Sequence, residues 1–122
     1  MNKQMDKKAI PTIRVALKDY RLYINQATLI KLGKPLYLRF LYNSEKKLFA
    51  ITGTNNESFD CFKVPEKATN GKCYVSRMLL TEALRLNMSW NKNKNYSIEG
   101  EYLDNIGVTV FDLTCAMETD VK

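Results

Sequence analysis

Arginine and lysine side chains in the first half of the sequence stand out because their chemistry suits the binding of phosphate. Residues 1–57 carry eleven Lys and Arg against four Asp and Glu, whereas residues 58–122 carry eight against nine. A surface with such an excess of positive charge attracts polyanions. Arg14 and Arg21 lie in consecutive predicted strands, where their guanidinium forks suit phosphates or guanine edges. The same charge is also compatible with an ordinary solvated surface.

Three further basic residues are candidates for phosphate contacts, which position a protein on nucleic acid and make its affinity depend on salt. Lys18 lies in the predicted turn between the two strands, Lys72 begins a later predicted strand, and Arg77 begins a predicted helix.

Carboxylate side chains in the second half would support a different chemistry, either acid–base catalysis or the binding of Mg²⁺. Glu99 and Glu101 lie on one face of a predicted strand, with Asp104 and Asp112 nearby, but regular alternation with apolar residues is typical of a solvated strand face. The sequence has no histidine and contains no glycine-rich phosphate loop or nucleophile motif. We therefore predict a protein that is not an enzyme and needs no cofactor.

Cysteine usage and composition narrow the class of protein. Cys61, Cys73 and Cys115 lack CxxC spacing, which argues against a zinc site and predicts buried reduced thiols, with a Cys61–Cys73 disulfide across a hairpin as the alternative.

The chain has 122 residues, 45% of them hydrophobic, as expected for one small globular domain. No run approaches the roughly 18 apolar residues of a membrane span, and residues 1–8 lack a signal core. We expect a cytoplasmic protein with no membrane partner.

The stretch 21–33 contains a strand, a helix start and a helix stop in succession. Residues 21–24 alternate polar and apolar side chains, as in a strand with one buried face. Asn25 is a typical N-cap for a helix over residues 26–32. Gly33 suits the left-handed conformation that closes a helix, and Pro35 prevents its continuation.

The remaining elements form two similar halves. In the first, a strand over 12–17 pairs with 21–24, the helix follows, and strands 36–42 and 47–52 form a second hairpin. In the second half, Ser76 occupies the N-cap position of a helix over 77–87. The other predicted features of this half are strands 58–64, 72–75, 96–102 and 108–113 and an apolar helix face of Leu79, Leu80, Ala83 and Leu84.

The segments RLYIN at 21–25 and KCYVS at 72–76 match in residue type at nearly every position. We interpret them as parts of an internal duplication, with ββαββ units at 12–53 and 58–114 and flexible tails at 1–11 and 115–122. Because each unit is too small to bury its own apolar face, the two are expected to pack together.

Residues 13–52 resemble the AbrB/SpoVT-like swapped-hairpin family. The likeness is in the order of a strand, a tight turn, the strand RLYIN, a short helix ending in Leu32-Gly33, and a terminal hairpin. The duplication is similar to that of MraZ-type members of the family. The resemblance implies a mainly β protein with short helices, in which two ββαββ swapped-hairpin repeats form one pseudo-twofold barrel.

The resemblance also implies DNA contacts, because basic side chains of the first strands and turn bind DNA in that family. The matching positions are Arg14, Lys18 and Arg21, with Lys72 by equivalence between the repeats. On the first helix, where the family often carries arginine, only Lys31 is basic. The family usually has proline after the second strand, whereas this chain has Asn25 and, in the second repeat, Ser76.

We therefore expect a small bacterial or mobile-element DNA-binding transcription regulator. The alternative is a non-enzymatic protein-interaction or assembly module that keeps the fold, for which the aromatic residues of the first half would supply a contact surface. A homodimer or another form of self-assembly is compatible with either function.

Overall fold

The computed structural model describes residues 10–58, 60–66 and 73–121. Within these ranges the chain forms nine strands and two α-helices. The strands are β1 (Thr12–Ala16), β2 (Arg21–Ile24), β3 (Tyr37–Asn43), β4 (Leu48–Thr54), β5 (Phe62–Lys63), β6 (Cys73–Ser76), β7 (Lys94–Leu103), β8 (Val108–Asp112) and β9 (Met117–Asp120), and the helices are α1 (Gln26–Lys31) and α2 (Met78–Met88).

All the strands pair antiparallel in one continuous, nearly closed sheet, in the order β5-β3-β4-β8-β7-β1-β2-β6. Strand β7 is the longest and joins the two parts of the barrel, because it pairs with β1 and β9 through its first half and with β8 through its second. The prediction of a mainly β protein with short helices and a barrel-like sheet is confirmed.

Alternation along the strands separates the barrel interior from its outer face. The fully buried side chains include Phe49 and Phe111, which are register partners on β4 and β8 with ring centroids 6.5 Å apart. The rest of the core is aliphatic and comes mainly from β1, β2, β3, β4 and β7: Ile13, Val15, Leu22, Ile24, Leu38, Ile51 and Ile98. Each such side chain contributes about 1.5–3 kcal/mol when fully buried.

The predicted cap of the first helix is confirmed. The Oδ1 atom of Asn25 accepts a hydrogen bond from the Thr28 N–H at 3.0 Å, and also one from the Thr12 N–H at 3.0 Å. Asn25 therefore caps α1 and fastens it to the start of β1. Gly33 follows the helix with φ +83°, as expected for the residue that closes it.

Besides shifts of one or two residues at most element boundaries, there are three notable differences from the sequence-based expectation. Strand β1 ends at Ala16, and Leu17 begins a 3-10 turn after which Tyr20 takes a left-handed conformation. Of the predicted strand 58–64, β5 contains only Phe62 and Lys63. Ser76 is not the N-cap of α2 but the last residue of β6, because its partner Arg21 extends the pairing by one residue.

The second helix and the end of the chain also correct the expectation. Leu84 is fully buried, but Leu79 is 83% exposed and Ala83 is exposed, so α2 faces the barrel through Leu80, Thr81 and Leu84. Residues 117–120, expected in a flexible tail, form β9. Among the described residues, no helix combines the length and apolarity that crossing a bilayer requires.

Strand β9 is held by a side chain of the neighbouring strand. Tyr96 of β7 donates a hydrogen bond from its hydroxyl to a carboxylate oxygen of Glu118 at 2.7 Å. The ring of Tyr96 stacks on the buried Trp90 with centroids 4.4 Å apart. Trp90 is thus a packing anchor after α2, and it fixes the tyrosine to which β9 is bonded.

Candidate functional site

A row of arginine and tyrosine side chains crosses the outer face of β1, β2 and β6. Arg14 of β1 is the register partner of Tyr23 of β2, and Tyr23 is the partner of Tyr74 of β6. Arg21 is on the same face as Tyr23, two residues away along β2. Because neighbouring residues of these strands point into the core, sheet alternation alone places these four side chains outside. We refer to Arg14, Arg21, Tyr23 and Tyr74 as the arginine–tyrosine row.

The guanidinium groups of the row lie over the tyrosine rings. Arg14 Cζ is 4.2 Å from the centroid of the Tyr23 ring, and Arg21 Cζ is 4.5 Å from that of Tyr74. The two ring centroids are 5.4 Å apart. Cation–π attraction at these distances holds a guanidinium in one orientation and reduces the entropy it loses on binding an anion.

A hydrogen bond further fixes Arg21. Its Nη1 atom donates to the Tyr23 hydroxyl at 3.2 Å. This bond, followed by the electrostatic effects of Tyr74 and Tyr23, raises the pKa of Arg21 above its already high value. Arg21 is therefore fully charged at every physiological pH.

Neither arginine of the row forms an ion pair with any described residue, unlike the paired cations elsewhere. Arg85 binds Glu82 at 2.9 Å, Arg39 lies 3.5 Å from Asp60, and Lys94 pairs with Asp120. The N–H groups of Arg14 and Arg21 that are not used by tyrosine therefore remain available to an anion. The charge of the row is not neutralised by a carboxylate of the described chain.

Two of the other predicted basic residues border the row. Lys18, exposed in the 3-10 turn between β1 and β2, lines a cleft together with Arg14 and Tyr23. Arg77 is exposed and directly follows Ser76, the partner of Arg21, and its backbone N–H donates to the Tyr20 carbonyl at 3.0 Å. Lys18 and Arg77 therefore add positive charge at the turn end of the β1–β2 hairpin, where Asp19 and the Lys94-paired Asp120 also line the cleft.

The remaining two predicted basic residues do not join this surface. Lys31 lies in a different cleft, which also contains Glu101 and Asp104. Their charges would oppose the approach of a phosphate at that position. Lys72 lies outside the described residues.

Two open clefts flank the row along the strand direction. The turn-side cleft, of about 330 Å³, is lined by Arg14, Lys18, Tyr23, Asn95, Thr119 and Asp120, among others. The helix-side cleft, of about 440 Å³, is lined by Thr12, Arg14, Tyr23, Asn25 and Ser97, among others. Both place polar groups beside the Arg14 and Tyr23 planes. An apolar cavity of about 380 Å³ between α1, β3 and the segment after β5 is separate from them, with Leu29, Leu36 and Val64 in its lining.

The carboxylates considered for catalysis are not gathered into a site. Glu99 and Glu101 are exposed on β7, and Asp112 accepts hydrogen bonds from the Thr114 N–H and hydroxyl, which lower the pKa of its carboxyl group. Within the described ranges, no three His, Cys, Asp or Glu residues are placed to hold a metal ion. The arrangement of Glu99 and Glu101 agrees with a solvated strand face.

The three cysteines are free, so the Cys61–Cys73 disulfide considered as an alternative is not formed. Cys73 is buried, and burial raises the pKa of its thiol to about 11. Cys61 is half-buried and Cys115 is exposed, so the expectation of buried thiols is right for Cys73 and wrong for Cys115.

Tyr74 is the residue of the row that sequence reasoning missed, whereas Tyr23 belongs to the first-half aromatic residues considered as a contact surface. A signal was present, because RLYIN and KCYVS both place a tyrosine two residues after a basic residue, on the same strand face. What no local pattern contained is that β2 and β6 are neighbours, which brings Tyr23 and Tyr74 together.

No known family model, curated protein or solved structure matches this chain.

Proposed function

We propose that this protein is a non-enzymatic nucleic-acid-binding protein that uses the arginine–tyrosine row to contact the sugar–phosphate backbone. In its specific form, the proposal is a DNA-binding transcription regulator of the AbrB-like type. The observation that carries it is the presence of two oriented guanidinium groups, without carboxylate partners among the described residues, on one exposed sheet face. Guanidinium groups held in this way are the usual donors to phosphate oxygens.

The strand pairing supports the duplicated form of the proposal. If β1, β2, β3 and β4 are matched in order with β5, β6, β7 and β8, the pair β3–β4 corresponds to β7–β8, and the pair β1–β7 corresponds to β5–β3. The pairs β2–β6 and β4–β8 then correspond to themselves. The register of β2 and β6 has the same symmetry. Leu22 pairs with Val75, and their counterparts in the other repeat, Cys73 and Ile24, pair with each other on the opposite side of the Tyr23–Tyr74 pair. Two ββαββ repeats related by a pseudo-twofold axis through the two tyrosines would have these pairs; the pair β1–β2 has no β5–β6 counterpart among the described residues, and β9 is an addition.

Salt-dependent binding to DNA tests the proposal. The purified protein is titrated into labelled duplex DNA of random sequence, and affinity is measured by fluorescence anisotropy at several salt concentrations between about 50 and 200 mM. Removal of two phosphate contacts by Arg14→Ala/Arg21→Ala is expected to weaken binding and reduce the slope of log affinity against log salt by about 2.

A control variant with the same loss of charge separates the row from net charge. Arg39→Ala/Lys46→Ala lowers the net charge from +6 to +4, as the first variant does, but changes residues in or next to the β3–β4 hairpin. This control variant is expected to keep most of the affinity for DNA and most of the slope of log affinity against log salt. Equal effects of both variants, or no binding by the folded wild type at low salt, would refute the proposal.

The alternative, a protein-interaction or assembly module, is favoured by the outer side of α2. Leu79, Leu86 and Met78 are 83%, 67% and 55% exposed there. Exposed apolar side chains at helical spacing are characteristic of contact surfaces. Sedimentation measured over a range of concentrations tests it, since association that Leu79→Ser/Leu86→Ser abolishes would place the contact on this helix.

A further inference from the structure

We infer that the arginine–tyrosine row binds unpaired nucleotides, whose bases pack against Tyr74 and Arg14 at the two ends of the row, in preference to double-stranded DNA. The inference rests on the proposed function in its general form, nucleic-acid binding, and favours a single strand over the duplex that an AbrB-like regulator would bind. The shared chemistry is a flexible phosphate backbone with free base faces, which single-stranded DNA and RNA both provide.

The row is a series of cation–π and tilted ring contacts, with the Tyr23 and Tyr74 ring planes at 47° to each other, and it ends at the exposed Tyr74. Since β1 and β6 lie on opposite sides of β2, Arg14 and Tyr74 flank the Tyr23 ring from opposite sides. Tyr74 is 39% exposed, although its ring is packed against that of Tyr23 and against Arg21. Unpaired bases stack on aromatic rings and equally on guanidinium planes. A base can therefore pack against the exposed side of Tyr74 at one end of the row, and another can lie beside Arg14 at the other end, where the two clefts open.

The width of the surface argues against a duplex as the preferred ligand. Strands β9, β7, β1, β2 and β6 lie side by side. At about 4.8 Å between neighbouring strands, this face is about 19 Å across. The major groove is about 12 Å wide and admits a helix or a two-stranded ribbon. A face this wide does not fit into the groove as a whole and would meet a duplex mainly at its phosphates, whereas a single strand can lie across it with its bases against the side chains.

Polar groups without partners lie where the edges of such bases would be. Ser97 is the register partner of Arg14 on β7, and Asn95 lies two residues before it on the same face. Ser97 lines the helix-side cleft and Asn95 the turn-side cleft. Both are half-buried, and their side chains have no hydrogen-bond partner among the described residues. Hydroxyl and amide groups in this position suit hydrogen bonds to base edges, while Lys18 and Arg21 suit the backbone.

Competition between single-stranded and double-stranded oligonucleotides tests the inference. One mixed sequence of about 16 nucleotides, a length that small single-strand-binding domains cover, is prepared as labelled single-stranded DNA, as RNA, and as the DNA duplex. Anisotropy titrations at one salt concentration compare the wild type with Tyr74→Thr and Tyr74→Phe. Threonine suits a strand and removes the ring, whereas phenylalanine keeps the ring and removes the hydroxyl.

We expect at least one single strand to bind more tightly than the duplex. Tyr74→Thr is expected to weaken single-strand binding by about 5- to 150-fold, the range that loss of one stacking contact produces. Its effect on duplex binding should stay within about threefold, and Tyr74→Phe should bind like the wild type. Circular dichroism melting curves establish that both variants fold.

Each other outcome overturns the inference, and the duplex titration shows whether the proposed function fails with it. Tighter binding of the duplex, or a folded Tyr74→Thr variant that binds single strands like the wild type, refutes stacking but leaves a phosphate-binding protein. Absence of binding to all three oligonucleotides at low salt refutes both.

Discussion

Replacing Asn25 by alanine tests how the start of β1 is held to the first turn of α1. Besides the Thr28 and Thr12 N–H groups, its Oδ1 atom accepts a hydrogen bond from the Thr28 hydroxyl at 2.7 Å, and its Nδ2 atom donates to the Ile10 carbonyl at 2.9 Å. One side chain thus joins the start of β1 to the first turn of α1.

The expected loss of stability has two parts. Removal of a helix N-cap costs about 1 kcal/mol. The Thr28 hydroxyl is fully buried and would lose its acceptor, which adds about 1–3 kcal/mol. We therefore expect Asn25→Ala to lower the free energy of unfolding by about 2–4 kcal/mol.

Urea unfolding followed by circular dichroism measures this change, with an unaltered m-value indicating that the compactness of both states is preserved. Asn25→Asp retains the acceptor and loses only the exposed bond to Ile10, so it should cost less than about 1 kcal/mol. Asn43→Ala removes an acceptor for the Lys46 N–H in an exposed turn and should be similarly mild. A loss below about 1 kcal/mol for Asn25→Ala, or an equal loss for Asn25→Asp, would refute the reasoning.

Two further predictions concern the core. In Gly100→Ala, the new Cβ atom would lie 2.5 Å from the fully buried Phe111 ring and 2.9 Å from the Val110 carbonyl oxygen. Thermal unfolding should therefore show that the free energy of unfolding falls by about 1–3 kcal/mol. An unchanged melting temperature would contradict this prediction. Burial raises the pKa of the Cys73 thiol from 9.0 to about 11, so the unfolded chain loses this proton first. The stability contributed by this group is complete below pH 9.0 and declines as the pH rises towards 11. Urea titrations at several pH values should show the decline in the wild type relative to Cys73→Ala, and parallel pH profiles would contradict it.

Local chemistry was sufficient to predict those helices and strands whose sequence signals depend only on neighbouring residues. Asn25 and Gly33 mark the two ends of α1 because capping depends on residues within one turn of the helix. The alternating pattern of β1, β2, β7 and β8 likewise predicts strands, since one face of each must be buried. The basic character of the first hairpin is a property of composition alone.

Signals that depend on distant partners misled the prediction. Ser76 has the chemistry of an N-cap, but pairing with Arg21 keeps it in β6. Leu79 has the periodicity of a buried helix residue, but α2 is turned so that Thr81 is buried instead. Residues 117–120 lack a hydrophobic pattern and form β9 because β7 offers a free edge and Tyr96 binds Glu118.

Alternation, capping and charge are local properties, so the amino-acid sequence is enough to predict a mainly β protein with a basic first hairpin. The contact of Tyr23 with Tyr74, and the position of Arg14 and Arg21 on their rings without a carboxylate partner among the described residues, become visible only in the folded chain. The pairing of β2 with β6 joins residues about fifty positions apart, and the packing of the whole barrel sets their register.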